Sequence, residues 1–334
     1  MNEALSRAPP LELERATVLV SGASGFLGAH VVRALRARGA VVRAMVRRRA
    51  GREDLERDGV ELVEANLLDE RSLRAACAGA DALVHCAAHK GLWSRVALEQ
   101  RRVNVEGTAA ILRAAHHCDL KRIVHVSTTG AIGGSREPET LDERSRWGLY
   151  EARVSYVATK HEAEQRALSA AWGGMPVVIV NPGALLGPRL FGGESSTVAR
   201  ARRGGWRWAP PGGASFCDVE DVAQGCLAAL AHGGVGERYI LGGHNLTWEQ
   251  LQRGLAQTAG ATTRTLRTPR AVLAPLRWGA SALDLIGLSR PPWAPERFAT
   301  WGWYVWVSSA KAERELGYRV RPLAETLARA CATR

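Results

Sequence analysis

The sequence predicts a doubly wound parallel α/β sheet that carries a smaller C-terminal lobe. Three observations lead there. Short apolar runs alternate with helical stretches through the first 180 residues, and a glycine-rich turn joins the first apolar run to the first helical one. The alternation then stops at Asn181-Pro182, beyond which Gly, Pro and Trp become dense. Continuous apolar strands separated by helices are buried on both faces, which is the situation of parallel strands covered by crossover helices. With 334 residues, 46% of them hydrophobic and 23% charged, the chain is globular and long enough to bury a large core.

Taken in order, "TVLV" at 17–20 is the first strand, and "FLGAHVVRALRARG" at 26–39 follows with helical periodicity and a terminal Gly. Five more strands are predicted at 40–46, 60–66, 81–88, 122–128 and 176–181, with helical stretches between them, notably 98–117 and 156–171. Later, "DVEDVAQGCLAALAHGG" reads as a helix capped by Asp221, and "ERYIL" at 237–241 as another strand. The expected division is a flexible tail over 1–15, a nucleotide-binding unit of 16–181 plus about 216–242, and a substrate lobe of about 182–215 plus 243–334. Most of the 11 Trp fall in that lobe.

The net charge of +12 raises the question of nucleic acid, but the Arg residues are spread through every segment. No zinc-finger, RNA-recognition or basic-zipper spacing is present, so no nucleic-acid partner is expected. The six Cys form no CxxC and no zinc-like pattern with His, so no metal is expected and the thiols suit a reducing, cytoplasmic compartment. The N-terminal stretch lacks an apolar core of signal-peptide length. The run 271–288 is apolar but is interrupted by Arg277 and Asp284, whereas a span needs ~20 apolar residues. It is expected to be a buried or substrate-facing helix, with surface contact with a bilayer as the alternative.

The turn "SGASGFLG" places Gly22, Gly25 and Gly28 directly between a strand and a helix, with Ser24, Phe26 and Leu27 among them. Gly lets the backbone turn sharply and approach a pyrophosphate, and the helix N-terminus offers free N–H groups and the positive end of its dipole. This is a dinucleotide site of Rossmann type. An NAD site usually carries Asp or Glu at the end of the second strand. Here that strand runs into Arg47, Arg48 and Arg49, cations suited to a 2′-phosphate. NADP(H) is therefore the expected cofactor, with NAD(H) as the alternative.

One Lys stands apart. Of 45 basic residues only Lys90, Lys121, Lys160 and Lys311 are Lys. Lys160 lies four residues after Tyr156, a spacing that puts both side chains on one helix face. A phenol titrates near ~10, and a neighbouring cation lowers that value, which would let Tyr156 exchange a proton near neutral pH. Lys, unlike Arg, is a compact donor to a ribose hydroxyl.

Gly22, Gly25 and Gly28, "HCAA" at 85–88, "NVEGT" at 104–108, Ser127-Thr128 and the Tyr156/Lys160 pair together resemble the extended short-chain dehydrogenase/reductases, the NAD-dependent epimerase/dehydratase family, over about 16 to 325. The finer likeness is to dihydroflavonol-reductase-like proteins and the hopanoid-associated sugar epimerase group. The resemblance implies Tyr156 as general acid/base and Lys160 as its partner. Thr128, five positions before Gly133, would hold the substrate oxygen, with Ser127 as second candidate. Asn104 would support Lys160 through water. Asn66-Leu67 would contact adenine, Ala87 and Ala88 would line the cofactor cleft, and Asn181 and Gly183 would meet the nicotinamide. Arg47, 25 residues after Gly22, would hold the 2′-phosphate. Where sugar dehydratases have Asp-Glu after the catalytic Thr, this chain has Thr129-Gly130, so dehydration lacks its acid and base. Val307-Ser308-Ser309 also departs, since many relatives have an Asp before the Ser pair.

Three functions follow as expectations. The first is an NADP-dependent reductase of a carbonyl, or dehydrogenase of a secondary alcohol, on an apolar small molecule. The others are an NAD-dependent nucleotide-sugar epimerase and a non-catalytic NADP sensor. Trp93, on the loop leaving the fourth strand, is expected to line the substrate mouth. The cleft is expected between Thr128/Tyr156 and the segments 183–215 and 290–306, where Trp206, Trp208, Trp293, Trp301, Trp303 and Trp306 gather. Relatives pair through helices corresponding to 98–117 and 156–171, which implies a homodimer.

Overall fold

The computed structural model describes residues 10–48, 55, 59–91, 94–149, 153–190, 196–286, 288 and 295–332. Its strands are β1 Thr17–Ser21, β2 Val41–Val46, β3 Glu61–Glu64, β4 Ala82–His85, β5 Arg122–Val126, β6 Thr140–Leu141 and β7 Val177–Pro182. They continue as β8 Ala184–Leu186, β9 Gly205–Ala209, β10 Gly213–Asp218, β11 Arg238–Leu241, β12 His244–Thr247, β13 Thr263–Arg267 and β14 Tyr304–Val307. Seven of them form one parallel sheet in the order β11-β7-β5-β4-β1-β2-β3. This is the predicted doubly wound sheet. Successive residues of a strand point to opposite faces. Val18, Val20, Val124 and Val178 accordingly meet the helices Phe26–Ala37 and Val219–His232 on one face. Leu19, Leu83, Ile123 and Ile179 meet Glu70–Cys77, Gly107–His117 and Ser155–Trp172 on the other. Each such side chain contributes about 1.5–3 kcal/mol by leaving water.

The strand order reverses between β1 and β4, and the crevice at the carboxyl ends there is where ligands bind in such sheets. A second sheet, β12-β10-β14-β6 with β8 alongside β10, and the pair β13-β9 make up the rest of the strands. β6 lies within 16–181 by sequence, yet it pairs with β14 of the second sheet.

Two expectations change. The helix Val219–His232 is capped by Asp218, which accepts from Glu220 N at 2.8 Å, and not by Asp221. β10 runs through to Asp218, so the helix starts earlier; Asp221 instead accepts from Arg321 N at 3.0 Å and Nε at 2.8 Å. Residues 11–15, expected as loose tail, are held against the helix Val219–His232: Leu11 N donates to Ala231 O at 3.0 Å, and Leu11 and Leu13 pack on the core. The run 271–288 gives the helix Leu273–Leu285, of which only Ala280 is buried. No helix among the described residues is long and apolar enough to cross a membrane.

Candidate active site

The glycine turn is a cradle that any side chain would fill. Gly22 has φ +69° and lies so close to Ala87 that a Cβ would come within 2.8 Å of its Cα and N. A Cβ on Gly28 would sit 2.1 Å from Gly22 O, so this Gly lets the helix Phe26–Ala37 seat on the turn. Gly25 N donates to Gly22 O at 2.8 Å, and Gly25 itself, as the helix N-cap, is exposed. Ser24 and Phe26 are half-buried, and Leu27 is in the core. Under the turn, Ser21 Oγ and His85 Nδ1 are 2.6 Å apart, and His85 Nε2 lies 3.1 Å from Thr108 Oγ1. Ser21 Oγ also accepts from Ala87 N at 3.3 Å. The sequence reading passed over Ser21, His85 and Thr108 as chemistry. Their signal was a His at a buried strand end facing a hydroxyl at the end of the neighbouring strand.

Arg47 and Arg48 are exposed beyond the end of β2, and the pairing of Met45 with Ser21 carries them alongside the glycine turn. Arg49 lies outside the described residues. Asn66 is exposed after β3, where its Oδ1 accepts from Leu68 N at 3.0 Å; Leu67 is buried against Gly107. Ala87 faces Gly22, and Ala88 is exposed at the mouth of the same crevice.

Lys160 is drawn into the crevice. Its Nζ donates to Val126 O at 2.7 Å, at the end of β5 and two residues before Thr128. Thr128 leaves the strand in extended conformation and caps the short helix Thr129–Ile132, its Oγ1 accepting from Gly130 N at 3.4 Å. That helix is fixed to Ser155–Trp172 by a stack of Trp147 on His161, with centroids 3.9 Å apart. Trp147 Nε1 also donates to Gly130 O at 3.0 Å, and His161 Nδ1 lies 3.1 Å from Ala131 O. Ser127 Oγ is buried with no hydrogen-bond partner, a hydroxyl left available beside Thr128.

Asn104 sits in a π-helical turn, Arg101–Glu106. Its Oδ1 accepts from His89 N at 2.7 Å, and its Nδ2 donates to His89 O and Thr159 Oγ1, both at 3.1 Å. It therefore ties the loop after β4 to the helix bearing Lys160. Asn181 Nδ2 donates to Thr128 O at 3.1 Å and to Glu164 Oε2 at 2.6 Å. Glu164, one turn after Lys160 and fully buried, accepts from Arg238 at 3.2 Å and favours the charged form of Lys160. Glu164 is a further residue missed by sequence, although its i+4 spacing from Lys160 was legible. Gly183 lies between β7 and β8, where a Cβ would meet Ser215 O at 2.5 Å.

The phenol of Tyr156 does not show the lowered pKa that the sequence suggested. Burial pushes it up to about 12, because the ring packs on the cluster of Leu149, Val154, Ala299 and Trp303 while Lys160 is held at Val126 O. Burial also pulls Lys160 down to about 8. Lys160 and Thr128 thus lie at the carboxyl end of β5, and Tyr156, one helical turn before Lys160, packs on the buried apolar cluster of Leu149, Val154, Ala299 and Trp303. Trp206 and Trp208 were expected around the substrate cleft. They are instead 65% and 57% exposed, because they occupy the outward face of the β13-β9 pair. Trp301 packs on Phe298, and Trp306 Nε1 donates to Leu246 O at 3.3 Å. Trp93 and Trp293 lie outside the described residues. A large groove of about 1250 Å³, lined by Gln165, Trp172, Arg238 and Lys311 among others, opens toward the far end of the Tyr156 helix and includes none of the three.

Glu296, on the short helix Pro295–Ala299, is buried beside Tyr156. It accepts from Ser155 N at 3.2 Å and Ser155 Oγ at 3.1 Å, capping the Tyr156 helix from another part of the chain. Burial raises its pKa, and the two Ser155 donors oppose the rise. Glu296→Ala is expected to lose ~1–2 kcal/mol, a cap's worth, and to lower turnover severalfold, whereas Glu296→Gln keeps the N–H acceptor and most of both. Chemical denaturation and steady-state assays check it; an Ala variant equal to wild type in both would show the contact to be idle.

His85 and His125 are fully buried. Burial pushes His85 down to about 3, and both ring nitrogens of His125, also far below the usual range, lack partners. Unfolded, both titrate near ~6.5. Below that pH the unfolded chain binds protons that the folded one refuses. Stability is therefore full above ~6.5 and falls as pH drops toward the folded values, at up to ~2.7 kcal/mol per pH unit for the pair. Urea denaturation at about pH 7.5 and about pH 5.5 should show this fall, and His125→Phe should remove about half of the slope.

The description of the NAD dependent epimerase/dehydratase family matches residues 18–242. The chain is 35% identical over 257 residues to sterol demethylase protein B of Methylococcus capsulatus, covering 76% of this chain and 77% of that protein. It is 32% identical over 307 residues to the 4-hydroxy-2-methyl-3-oxo-4-farnesyl-3,4-dihydroquinoline-1-oxide ketoreductase of Stigmatella aurantiaca, covering 90% and 91%. The crystal structure of gox2253 superposes with a TM-score of 0.82 at 30% identity, covering 95% of this chain and 97% of that one.

Proposed function

The chain belongs to the NAD-dependent epimerase/dehydratase family and is an NAD(P)-dependent oxidoreductase of the short-chain dehydrogenase/reductase superfamily, and we propose that it uses NADPH to reduce a ketone on an apolar small molecule. The observation that carries the reading is the placement of Lys160 Nζ on Val126 O, two residues before Thr128, on the helix that also bears Tyr156. The names of the relatives, a sterol protein and a farnesylated-quinoline ketoreductase, support the same class.

The crevice fits a dinucleotide. Gly22, Gly25 and Gly28 leave the room a pyrophosphate needs, and Arg47 stands at the end of β2 with no carboxylate there to receive ribose hydroxyls. When bound, the nicotinamide supplies the hydride. The chain's own residues do the rest. Thr128 donates a hydrogen bond to the carbonyl oxygen and orients it, with the unpartnered Ser127 hydroxyl beside it. Tyr156 passes its proton to that oxygen as negative charge develops there. The phenol, pushed up to about 12 by burial, is protonated at neutral pH and carries the proton to be transferred. Lys160 places a positive charge near the reacting oxygen, and Asn104 and Glu164 fix the elements that carry it.

The test is to analyse the purified protein for nucleotide and then assay NADPH oxidation with lipophilic ketones. Exchangeable NADP and ketone-dependent NADPH oxidation are expected. Tightly held NAD together with turnover of a nucleotide sugar would replace this reading by the epimerase.

A further inference from the structure

We infer that the outer face of the β13-β9 pair and the helix Leu273–Leu285 form a docking surface for an anionic lipid bilayer. The parallel register pairs Trp206 with Arg264 and Trp208 with Leu266. Alternate residues of a strand share a face, so these four side chains stand together on one side. Trp206, Trp208 and Leu266 are 65%, 57% and 50% exposed there, and the Arg264 guanidinium lies over the Trp206 ring at 5.7 Å. The opposite side of the pair is occupied, since Thr265 and Arg267 bond Glu249 of the helix Trp248–Thr258. The outward side is a finished apolar and aromatic surface and not the back of a core.

The chain continues from β13 through Arg270–Val272 into Leu273–Leu285. On that helix Trp278 and Leu285, seven residues apart and so on one face, are 74% and 89% exposed. Ile286 and Leu288 extend the exposed apolar run. Surfaces of this kind on monomers mark interaction sites.

Charge selects the occupant. Arg264 stands on the outward face and Arg203 is exposed at the end of the helix before β9, while Arg267 and Arg270 are paired with Glu249 and Glu137; the one carboxylate within 196–209 and 263–286 is Asp284. A twofold pairing of copies would set this patch against itself, Arg against Arg. An anionic bilayer instead offers phosphates to the Arg, the headgroup level to the Trp, and the acyl boundary to Leu285 and Ile286. Nucleic acid would satisfy the Arg but leave the aliphatic run in water.

The experiment is co-sedimentation of the full chain with phosphatidylcholine vesicles, with and without phosphatidylglycerol. Binding is expected only with phosphatidylglycerol and is expected to fall as salt shortens the Debye length. The double variant Trp206→Ser/Trp208→Ser and the double variant Arg203→Glu/Arg264→Glu should each weaken it by about tenfold or more. All four residues are exposed, so thermal unfolding and NADPH binding should stay at wild-type values, which separates lost docking from lost folding. No binding to anionic vesicles at low salt would overturn the inference, as would variants that bind like wild type. A dimer in gel filtration that the Trp variant dissociates would assign the face to a second copy and overturn it as well. RNA binding abolished by the Trp variant would do the same.

Discussion

Tyr156→Phe is expected to bind NADPH as wild type does and to lose ~10²–10⁴-fold in turnover. The ring keeps its packing against Leu149 and Trp303, and only the oxygen that carries the proton is removed. The hydroxyl is costly to ionise where it sits, pushed up to about 12 by burial. Fluorescence titration with NADPH and steady-state assay separate the two effects. Turnover within a few-fold of wild type would mean that another group, Ser127 or a solvent route, protonates the substrate. A parallel loss of NADPH affinity would mean that the phenol serves binding instead.

Arg47→Ala is expected to weaken NADPH by roughly ten- to a hundredfold while leaving NADH nearly unchanged, since one charge-assisted contact to phosphate is worth ~1.5–3 kcal/mol. The side chain is exposed beyond β2, and the Ser21–Met45 pairing brings it beside the glycine turn. Dissociation constants for the two cofactors decide it. Equal losses would show that Arg47 does not read the 2′-phosphate, and the preference for NADP would lose its main support. Raising the salt should also weaken NADPH more than NADH, because an exposed ionic contact is screened.

The parallel sheet was legible because its evidence is local. Apolar runs of strand length, helices between them and a glycine turn at one junction each need only neighbours in sequence to be recognised. The Tyr156/Lys160 pair was legible for the same reason, being one turn of one helix. Asp218 rather than Asp221 caps its helix because β10 pairs through to residue 218, and pairing is not written in the helix's own sequence.

What only the tertiary structure decided is the environment of those residues. The sequence by itself determined that a phenol and an ammonium share a helix face. Whether the phenol's pKa rises or falls depends on how much apolar surface covers it and where the ammonium is anchored. Both came from far away in the chain: Trp303 covers the ring and Val126 O holds the Lys. Glu296 reaches Ser155 across 141 residues, and Glu164 meets Arg238 across 74. The Trp residues show the same limit. Composition placed Trp206, Trp208 and Trp303 together in one lobe, but the pairing of β9 with β13 turned the first two to solvent and the packing beside Tyr156 buried the third. Burial and long-range electrostatics depend on which distant segments meet, so a pKa direction or an exposed face becomes determined only when the chain has closed on itself.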